Sequence, residues 1–374
     1  MVVLFAATTT LRAQSFAKAD SIVESGIRRG IYPGAVLVIG NRDRVLHARG
    51  FGRLQWNAGP RPSPDSTWWD LASLTKVVGT TGAVMRLVES GRVELDAPVA
   101  RYLPRFRGNG KEAVTVRMLL NHTSGLRSYL PFFQLARTRD SAIALLYAEP
   151  LRRRPGSVAE YSDLNFLLLG LLVEQVTGDP LEQYVTRAVL QPARLTHTLY
   201  RLPDSLRSRT APTGRYRGHP VCCEVNDQNA VRMGGVAGHA GLFSTGSDLA
   251  RFARLWLNRG AIDGERVFSE AVVDTFLSPG QGKGDRLLGW ERPDPANRDD
   301  SAYGHQLSAA AYGHTGWTGT LLWIDPTRDI FLVLLTNRSY DPRVGRSIRA
   351  LRSVRNDLAD QVVRIMAAGP IADP

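Results

Sequence analysis

Short apolar runs alternate with turn-forming residues near both ends of this 374-residue chain. The runs at 34–40 and 44–50 are joined by Asn-Arg-Asp, a connector typical of a turn between two strands. The runs at 320–325 and 330–335 flank Pro-Thr-Arg-Asp in the same way. We therefore predict two hairpins whose strands are antiparallel neighbours in one sheet.

The last apolar pattern of the chain is helical. Within residues 345–368 the apolar residues recur at a spacing of three or four, at Ile348, Leu351, Val354, Leu358, Val362, Ile365 and Met366. This spacing predicts a long amphipathic helix packed on the sheet. Between the hairpins, helices are predicted at 76–90, 141–148, 165–177, 180–189 and 247–259, the last with Ser247 as N-cap and Gly260 as its stop. The segment from about 205 to 240, rich in Gly, Pro and Arg, predicts a long connection beside a cleft.

These elements predict a mixed α/β fold, in which helices flank an antiparallel sheet and a mainly helical domain is inserted. The sheet-and-helix domain is placed at 15–80 and 285–370, and the inserted domain at 81–284, with the cleft between them. The length favours about two domains, and 43% hydrophobic residues suffice for a globular core.

The net charge of +12 raises the question of nucleic-acid binding. The arginines are scattered, and the longest basic run is only 152–154, so we expect no nucleic-acid partner. A solvated basic surface, or a general affinity for anionic polymers of the cell envelope, accounts for the charge. Cys222 and Cys223 are adjacent and cannot easily reach relaxed disulfide geometry, so we expect neither a disulfide nor a metal site. No cofactor is expected, and the sequence leaves the oligomeric state open.

The first 14 residues are interpreted as a shortened signal peptide, because an apolar stretch precedes a cleavage-like Leu-Arg-Ala-Gln-Ser but no basic segment comes before it. The alternative is a disordered tail on a cytoplasmic protein. No run reaches the ~18 apolar residues of a membrane span. The expected location is therefore periplasmic or secreted, with the cytoplasm as the alternative.

The first candidate for chemistry is Ser73-Leu-Thr-Lys76. Helical neighbours three residues apart lie on one face, so Lys76 can accept the proton of a nucleophilic Ser73. The choice of lysine matters because arginine, with a pKa above ~12, cannot serve as a base. In this arginine-rich chain the lysines are only Lys18, Lys76, Lys111 and Lys283.

Two further motifs follow in order. Tyr161-Ser-Asp163-Leu-Asn opens an apolar segment, and Gly-His314-Thr315-Gly316-Trp317 precedes a strand-like run. With the lesser signatures at 114–126, 234–245 and 334–338, the chain resembles the serine β-lactamase and penicillin-binding protein family over about residues 20–365. The resemblance is to its class C-type branch, which includes DD-peptidases, D-aminopeptidases and β-lactamase-like esterases.

The resemblance implies a role for each motif. Ser73 would form the acyl-enzyme, Lys76 and Tyr161 would share the proton transfers, and the backbone N–H groups of Ser73 and Trp317 would form the oxyanion hole. Positive charge nearby is expected to lower the phenol pKa, so the main base is either Lys76 or Tyr161. Gly316 would let the strand approach the substrate closely. The metal-independent site would thus include Asp163, His314, Thr315, Gly316 and Trp317 as substrate-binding residues.

Two positions depart from the β-lactamase pattern. Asp163 stands where the family often has an amide donor, and a carboxylate only accepts, which weakens the case for ordinary β-lactams. If Asp163 lies near Lys76, it favours the protonated amine and shifts the base role toward Tyr161. His314 replaces a lysine, and a mostly neutral imidazole attracts a substrate carboxylate less strongly. Further candidates that the sequence cannot place are His122, His239, His305, Asp227 and Asn229.

The sequence thus favours a serine hydrolase of small acyl esters, with weak or no β-lactam hydrolysis. A DD-carboxypeptidase or D-aminopeptidase acting on peptidoglycan-type peptides is the enzyme alternative, with β-lactamase beside it. A non-catalytic penicillin-binding or sensory module is the alternative from another class, and the intact Ser73, Lys76 and Tyr161 argue against it. The expected partners are small esters, β-lactams or short peptides.

Overall fold

Strands from both ends of the chain form one antiparallel sheet in a computed structural model that describes residues 15–216, 218–279, 283–294, 302–345 and 348–368. The strands are β1 (Gly34–Gly40), β2 (Val45–Gly52), β10 (Tyr312–Thr315), β11 (Leu321–Asp325) and β12 (Ile330–Thr336), and their order in the sheet is β10-β11-β12-β1-β2. Each neighbouring pair is antiparallel. Both predicted hairpins and the mixed α/β fold are confirmed. Residues 1–14, interpreted above as a signal peptide or tail, lie outside the described residues.

The remaining elements surround this sheet. Shorter strands are β3 (Trp69–Asp70), β4 (Thr198–Tyr200), β5 (Gly214–Tyr216), β6 (His219–Val221), β7 (Leu242–Ser244), β8 (Ala261–Ile262) and β9 (Glu265–Arg266). The α-helices of the described chain are α1 (Ala17–Arg28), α2 (Gly82–Glu89), α3 (Val99–Tyr102), α4 (Val116–Leu120), α5 (Phe132–Leu135), α6 (Arg139–Ala148), α7 (Asp163–Thr177), α8 (Leu181–Val185), α9 (Gln228–Arg232), α10 (Gly246–Leu257), α11 (Glu270–Leu277) and α12 (Arg349–Ala367). Lys76–Thr81 and Thr186–Leu190 are π-helical, and Lys111–Ala113 and Asp204–Arg209 are 3₁₀ turns.

The sheet is covered on both faces, which explains why β1 is a continuous apolar run. Side chains alternate across a strand, so Leu37 joins a core with α1 and α12, while Val36 and Val38 join a larger core that includes α10. The predicted amphipathic C-terminal helix therefore packs on the sheet as expected. The domain division at 80/81 and 284/285 stays a prediction, and α10, from within the second range, contacts β1, β11 and β12.

The predicted N-cap of α10 is wrong by two residues. Thr245, not Ser247, precedes the helix, and its hydroxyl accepts the N–H of Asp248 at 3.3 Å. Ser247 lies in the first turn and donates to Asp65. Gly260 is the predicted stop: its φ of +87° is left-handed, and its N–H donates to the Leu255 carbonyl at 2.9 Å.

Helix α7 positions one side of the cleft. Residues 164–173 are all buried, so this helix runs through the helical part of the core rather than along its surface. Its N-terminus is fixed by the Asp163 N–H, which donates to the Ser128 carbonyl at 2.9 Å. Tyr161 and Asp163 are thereby held on a rigid element. Within the described part of the chain, the helices are too short or too polar to span a bilayer.

Candidate active site

The loop that carries Ser73 is held in place by the carboxylate of Asp70. The Asp70 carboxylate accepts the N–H of Ala72 at 2.8 Å and the N–H of Asn226 at 2.7 Å. Burial raises the pKa of Asp70 to about 6, although both N–H donors act to lower it. Ala72 has a left-handed φ of +47°, a conformation disfavoured for a residue with a Cβ. This strained turn places Ser73 at the cleft, three residues before the π-helical segment begins at Lys76.

Ser73, Lys76 and Tyr161 meet in one hydrogen-bonded triangle. The Lys76 ammonium donates to Ser73 Oγ at 2.9 Å and to Tyr161 Oη at 2.6 Å. The Tyr161 hydroxyl donates to Ser73 Oγ at 2.8 Å. The hydroxyl of Ser73 therefore has two partners within proton-transfer distance.

Asp163 also contacts Lys76. Its Oδ1 lies 2.7 Å from Lys76 Nζ, and the His239 carbonyl accepts from the same ammonium at 3.3 Å. The Lys76 side chain is fully buried, whereas that of Asp163 is 17% exposed. The placement of Asp163 beside Lys76, which the sequence left conditional, is confirmed.

The charge state of this group follows from burial and from Asp163. Burial acts to lower the pKa of Lys76, but the Asp163 carboxylate and the Tyr161 phenol raise it, and the net pKa lies above its usual value. Burial, helped by Asp163, raises the pKa of Tyr161 to about 12 against the opposing charge of Lys76. Lys76 acts on the phenol pKa in the expected direction, but burial and Asp163 outweigh it, so the expected net lowering of that pKa is wrong. At neutral pH Lys76 is therefore an ammonium and Tyr161 a neutral phenol.

Gly316 is required by the contacts of the protein itself. A Cβ at this position would collide with Thr320 Oγ1 and lie 2.5 Å from the Leu71 carbonyl oxygen. The hydroxyls of Thr318 and Thr320 donate to the Asp70 and Leu71 carbonyls at 2.7 and 2.9 Å. Glycine thus brings the end of β10 against the Ser73 loop, and the expected close approach of this strand to substrate stays a prediction.

His314 is buried beneath the cleft. Its Nδ1–H donates to the Thr315 carbonyl at 2.8 Å, and its Nε2 lies 3.8 Å from Glu291 Oε1. Burial lowers the pKa of His314 to about 4, against the attraction of Glu291. The imidazole is neutral at physiological pH, as the sequence indicated. With its one proton on Nδ1, the neutral ring has only a lone pair at Nε2, so it offers a substrate carboxylate neither a positive charge nor a free N–H.

Two backbone donors remain free beside Ser73. Among the residues that the structure describes, neither the Ser73 nor the Trp317 N–H donates to a protein acceptor. Both residues line the same cleft of about 820 Å³, whose wall also carries Tyr129, Phe133 and Asp227. Free N–H groups at such a position can stabilise an oxyanion that forms during attack by Ser73.

An ion pair that sequence reasoning missed, between Arg286 and Glu291, lines the cleft beside Tyr161. The Arg286 guanidinium carbon lies 5.3 Å from the Tyr161 ring centroid, and Arg286 Nη1 contacts Glu291 Oε1 at 2.7 Å. Burial acts to raise the pKa of Glu291, but Arg286 outweighs it, and the net pKa is lowered. No motif marks either residue, because only the tertiary structure brings this part of the chain to Tyr161.

The three remaining histidine candidates lie in different surroundings. His122 lies behind Tyr161, with ring centroids 4.8 Å apart, and its Nδ1 accepts the Ser162 N–H at 3.1 Å. His239 contacts Asp227, with Nε2 and Oδ1 3.0 Å apart. His305 is exposed and away from the cleft, where its N–H donates to Asp360 at 2.6 Å.

The connecting segment reaches the cleft through Asp227 but not through Asn229. Asn229 is buried and binds the Leu130 carbonyl and the Phe133 N–H. Asp163, Asp227 and His239 bring possible metal-ligand atoms within 4.8 Å of one another. Asp163 Oδ1 is already paired with the Lys76 ammonium, and Asp227 Oδ1 already contacts His239 Nε2. The ammonium also opposes binding of a cation. Cys222 and Cys223 are free, half-buried thiols.

Comparisons with known proteins agree with this geometry. The sequence model of the family described as Beta-lactamase matches residues 19–355. The chain is 33% identical to the N-acetylmuramyl-L-alanine amidase of Bacillus subtilis (strain 168), with 91% of this chain and 85% of that protein covered. It is 30% identical to the Escherichia coli (strain K12) protein named "Putative D-alanyl-D-alanine carboxypeptidase", over 83% of this chain and 80% of that one.

Solved structures share the fold. EstCE1, a hydrolase with promiscuous acyltransferase activity, superposes with a TM-score of 0.73 at 22% identity and covers 92% of this chain and 98% of its own. A class C β-lactamase superposes with a TM-score of 0.73 at 20% identity, and the match covers 92% of this chain and 95% of that one. At 20–22% sequence identity, these similarities show a shared fold and nothing about activity.

Proposed function

Since this chain belongs to the β-lactamase family of serine hydrolases, we propose that it hydrolyses amide bonds of peptidoglycan-type fragments through an acyl-enzyme on Ser73. The observation that carries this proposal is the position of Ser73 Oγ, within 2.9 Å of both Lys76 Nζ and Tyr161 Oη at an open cleft. The amidase at 33% identity supports an amide of an N-acylated L-alanyl peptide as the substrate. A periplasmic or secreted location is part of the proposal, because peptidoglycan lies outside the cytoplasmic membrane.

The proton path starts from the Lys76–Asp163 pair. Loss of one proton from the Lys76 ammonium to solvent leaves a neutral amine beside the Asp163 carboxylate. That amine accepts the Ser73 proton, directly or through Tyr161, as Oγ attacks the carbonyl carbon. The same proton then passes through Tyr161 to the leaving amine nitrogen as the C–N bond breaks. The raised pKa of Tyr161 supports this last step, because it keeps the phenol protonated and able to donate. Water then attacks the acyl carbon and gives one proton to the Lys76 amine, which returns it to Ser73 Oγ as the ester bond breaks and the acid is released.

Hydrolysis of small acyl esters is the second candidate. Asp163 Oδ1 is engaged with Lys76, and a carboxylate has no N–H to offer to an amide-bearing substrate. An ester leaving group also needs less help from an acid than an amine does. A DD-carboxypeptidase reaction uses the same acyl-enzyme chemistry on a different peptide, and the assay below separates the three.

The purified protein should be compared on muramyl dipeptide, diacetyl-L-lysyl-D-alanyl-D-alanine, p-nitrophenyl butyrate and nitrocefin. We expect the highest kcat/KM for release of the L-alanyl peptide from the muramyl substrate, measured by liquid chromatography with mass spectrometry. EDTA should leave this rate unchanged, because the proposed chemistry uses only side chains. Turnover of the ester without turnover of either amide would replace this proposal with the second candidate.

The Asp163→Asn variant tests the electrostatic part of the mechanism. Asp163 raises the pKa of both Lys76 and Tyr161, so its removal lowers both pKa values. Activity that requires the neutral amine should then persist to lower pH, and the acidic limb of the kcat/KM profile should move down. The new amide N–H should also raise nitrocefin hydrolysis relative to p-nitrophenyl ester hydrolysis. An unmoved acidic limb would show that Asp163 does not control the base.

A further inference from the structure

A second groove runs on from the active-site cleft past Trp317. It encloses about 610 Å³, and Asn226, Gln228 and Trp317 line both the groove and the cleft. Trp317 lines the cleft together with Ser73, and its free backbone N–H is one of the two proposed oxyanion donors, so its side chain adjoins the proposed site of attack. A substrate bound at Ser73 can therefore extend directly into this groove.

The Trp317 side chain is exposed to solvent and is held in a fixed orientation. It is 55% exposed, which is unusual for tryptophan in this chain, where most are buried. Its ring is fixed from one side by Arg338, whose guanidinium carbon lies 4.5 Å from the ring centroid and whose Nη1 donates to the Trp317 carbonyl at 3.0 Å. Arg338 itself is buried, so the ring is held rigidly with its other side open to the groove.

Two residues that line the groove have a buried hydroxyl without a hydrogen-bond partner among the described residues. Thr213 is 3% exposed, and within the described residues its Oγ1 has no hydrogen-bond partner. Ser339 Oγ, on the same wall, is also buried without a partner in that part of the chain. Leaving a buried hydroxyl unpaired costs free energy, so such groups mark a place where a polar ligand or water completes the hydrogen bonds.

The charges of the groove argue against a polyanion. Arg215 is paired with Asp341 at 3.2 Å, and Glu224 lies on the same wall. The combination of an open indole face, hydroxyls, amides and paired charges matches a neutral ring that has one apolar face and several hydroxyl groups. A sugar ring has these properties, and an extended peptide has neither the flat apolar face nor the ring hydroxyls.

We propose that this groove, formed by Thr213, Arg215, Gln228, Trp317, Arg338 and Ser339, binds an N-acetylated hexosamine ring attached to the acyl group that Ser73 attacks. This inference rests on the proposed function and names the part of the substrate on the acyl side. The sugar stacks on the open face of Trp317, while its hydroxyl or acetamido groups bind Thr213 Oγ1 and Ser339 Oγ. The enzyme thereby distinguishes a muramyl amide from an amide that carries the same acyl bond without the sugar.

The test uses two substrates with the same scissile bond, muramyl dipeptide and lactoyl-L-alanyl-D-isoglutamine. The ratio of their kcat/KM values reports recognition of the sugar. In Trp317→Leu this ratio should fall about tenfold, and in Thr213→Val about threefold. The control is Trp56→Leu, because Trp56 also lies under an arginine, Arg343 at 4.2 Å, but does not line the groove. Unchanged ratios in both groove variants, or an equal fall in the control, would overturn the proposal.

Binding without turnover separates this inference from the proposed function. Calorimetric titration of the Ser73→Ala protein with N-acetylmuramic acid should show binding that persists with Trp56→Leu and disappears with Trp317→Leu. If the wild type cleaves no muramyl amide and this binding pattern holds, the proposed function fails and the groove stands. If it cleaves the muramyl amide without any sugar binding or preference, the groove fails and the function stands.

Discussion

Ser73→Ala abolishes turnover of amides and esters alike, with an expected loss of roughly 10⁴-fold or more in kcat. No other hydroxyl in the described structure lies within hydrogen-bond distance of both Lys76 and Tyr161. The fold should survive, because Lys76 keeps Tyr161, Asp163 and the His239 carbonyl as partners. The measurements are steady-state rates, the thermal transition, and mass spectrometry of the Ser73 peptide after treatment with a fluorophosphonate.

The matched control for this variant is Ser353→Ala, on the exposed side of α12. Its rate and its thermal transition should match those of the wild type. Amidase or esterase activity that survives in Ser73→Ala would end the assignment of this serine as the nucleophile. A fluorophosphonate adduct on a different peptide would do the same.

Lys76→Arg should be nearly as damaging as Lys76→Met, with a loss of about 10³-fold for each. The ammonium is fully buried and meets four acceptors within 3.3 Å, so the larger, planar guanidinium cannot reproduce its contacts. Arginine would keep the positive charge but cannot become the neutral amine that accepts the Ser73 proton. Measured kcat/KM within a few-fold of the wild type for Lys76→Arg would make the role of this residue purely electrostatic.

Stability measurements separate catalysis from folding in these variants. Lys76→Met leaves the Asp163 carboxylate without its cation and should lower the thermal transition. Adding Asp163→Asn should restore much of that stability but none of the activity. Lys111→Met is the control, because Lys111 is also buried and donates to the Tyr147 carbonyl without contacting the cleft. It should lose stability while each folded molecule stays active.

The elements that local patterns define were predicted well. The two hairpins follow from turn residues between apolar runs, and α12 follows from the helical spacing of its apolar positions. The start of α10 was misplaced, because Thr245 and Ser247 are both good caps and the choice depends on where β7 ends. Helix boundaries of this kind depend on neighbouring elements that the local sequence does not describe.

The Ser73–Lys76 spacing was also readable from the sequence, because contact between residues three apart on a helical turn is a local property. The place of Tyr161 came from the motif order that the chain shares with its family. The groove beside Trp317 could not be found in this way, since Thr213 and Ser339 are far apart in the chain and neither belongs to a motif.

The sequence by itself determined which groups this protein has for chemistry: a hydroxyl, an amine, a phenol and a carboxylate in recognisable motifs. Only the tertiary structure decided their protonation. The pKa of Tyr161 is raised because burial and Asp163 together outweigh the nearby ammonium. Lys76 stays protonated because the attraction of Asp163 offsets the effect of burial on the Lys76 pKa. Charge interactions depend on distance and on the surrounding dielectric, and both are properties of the folded chain rather than of any segment.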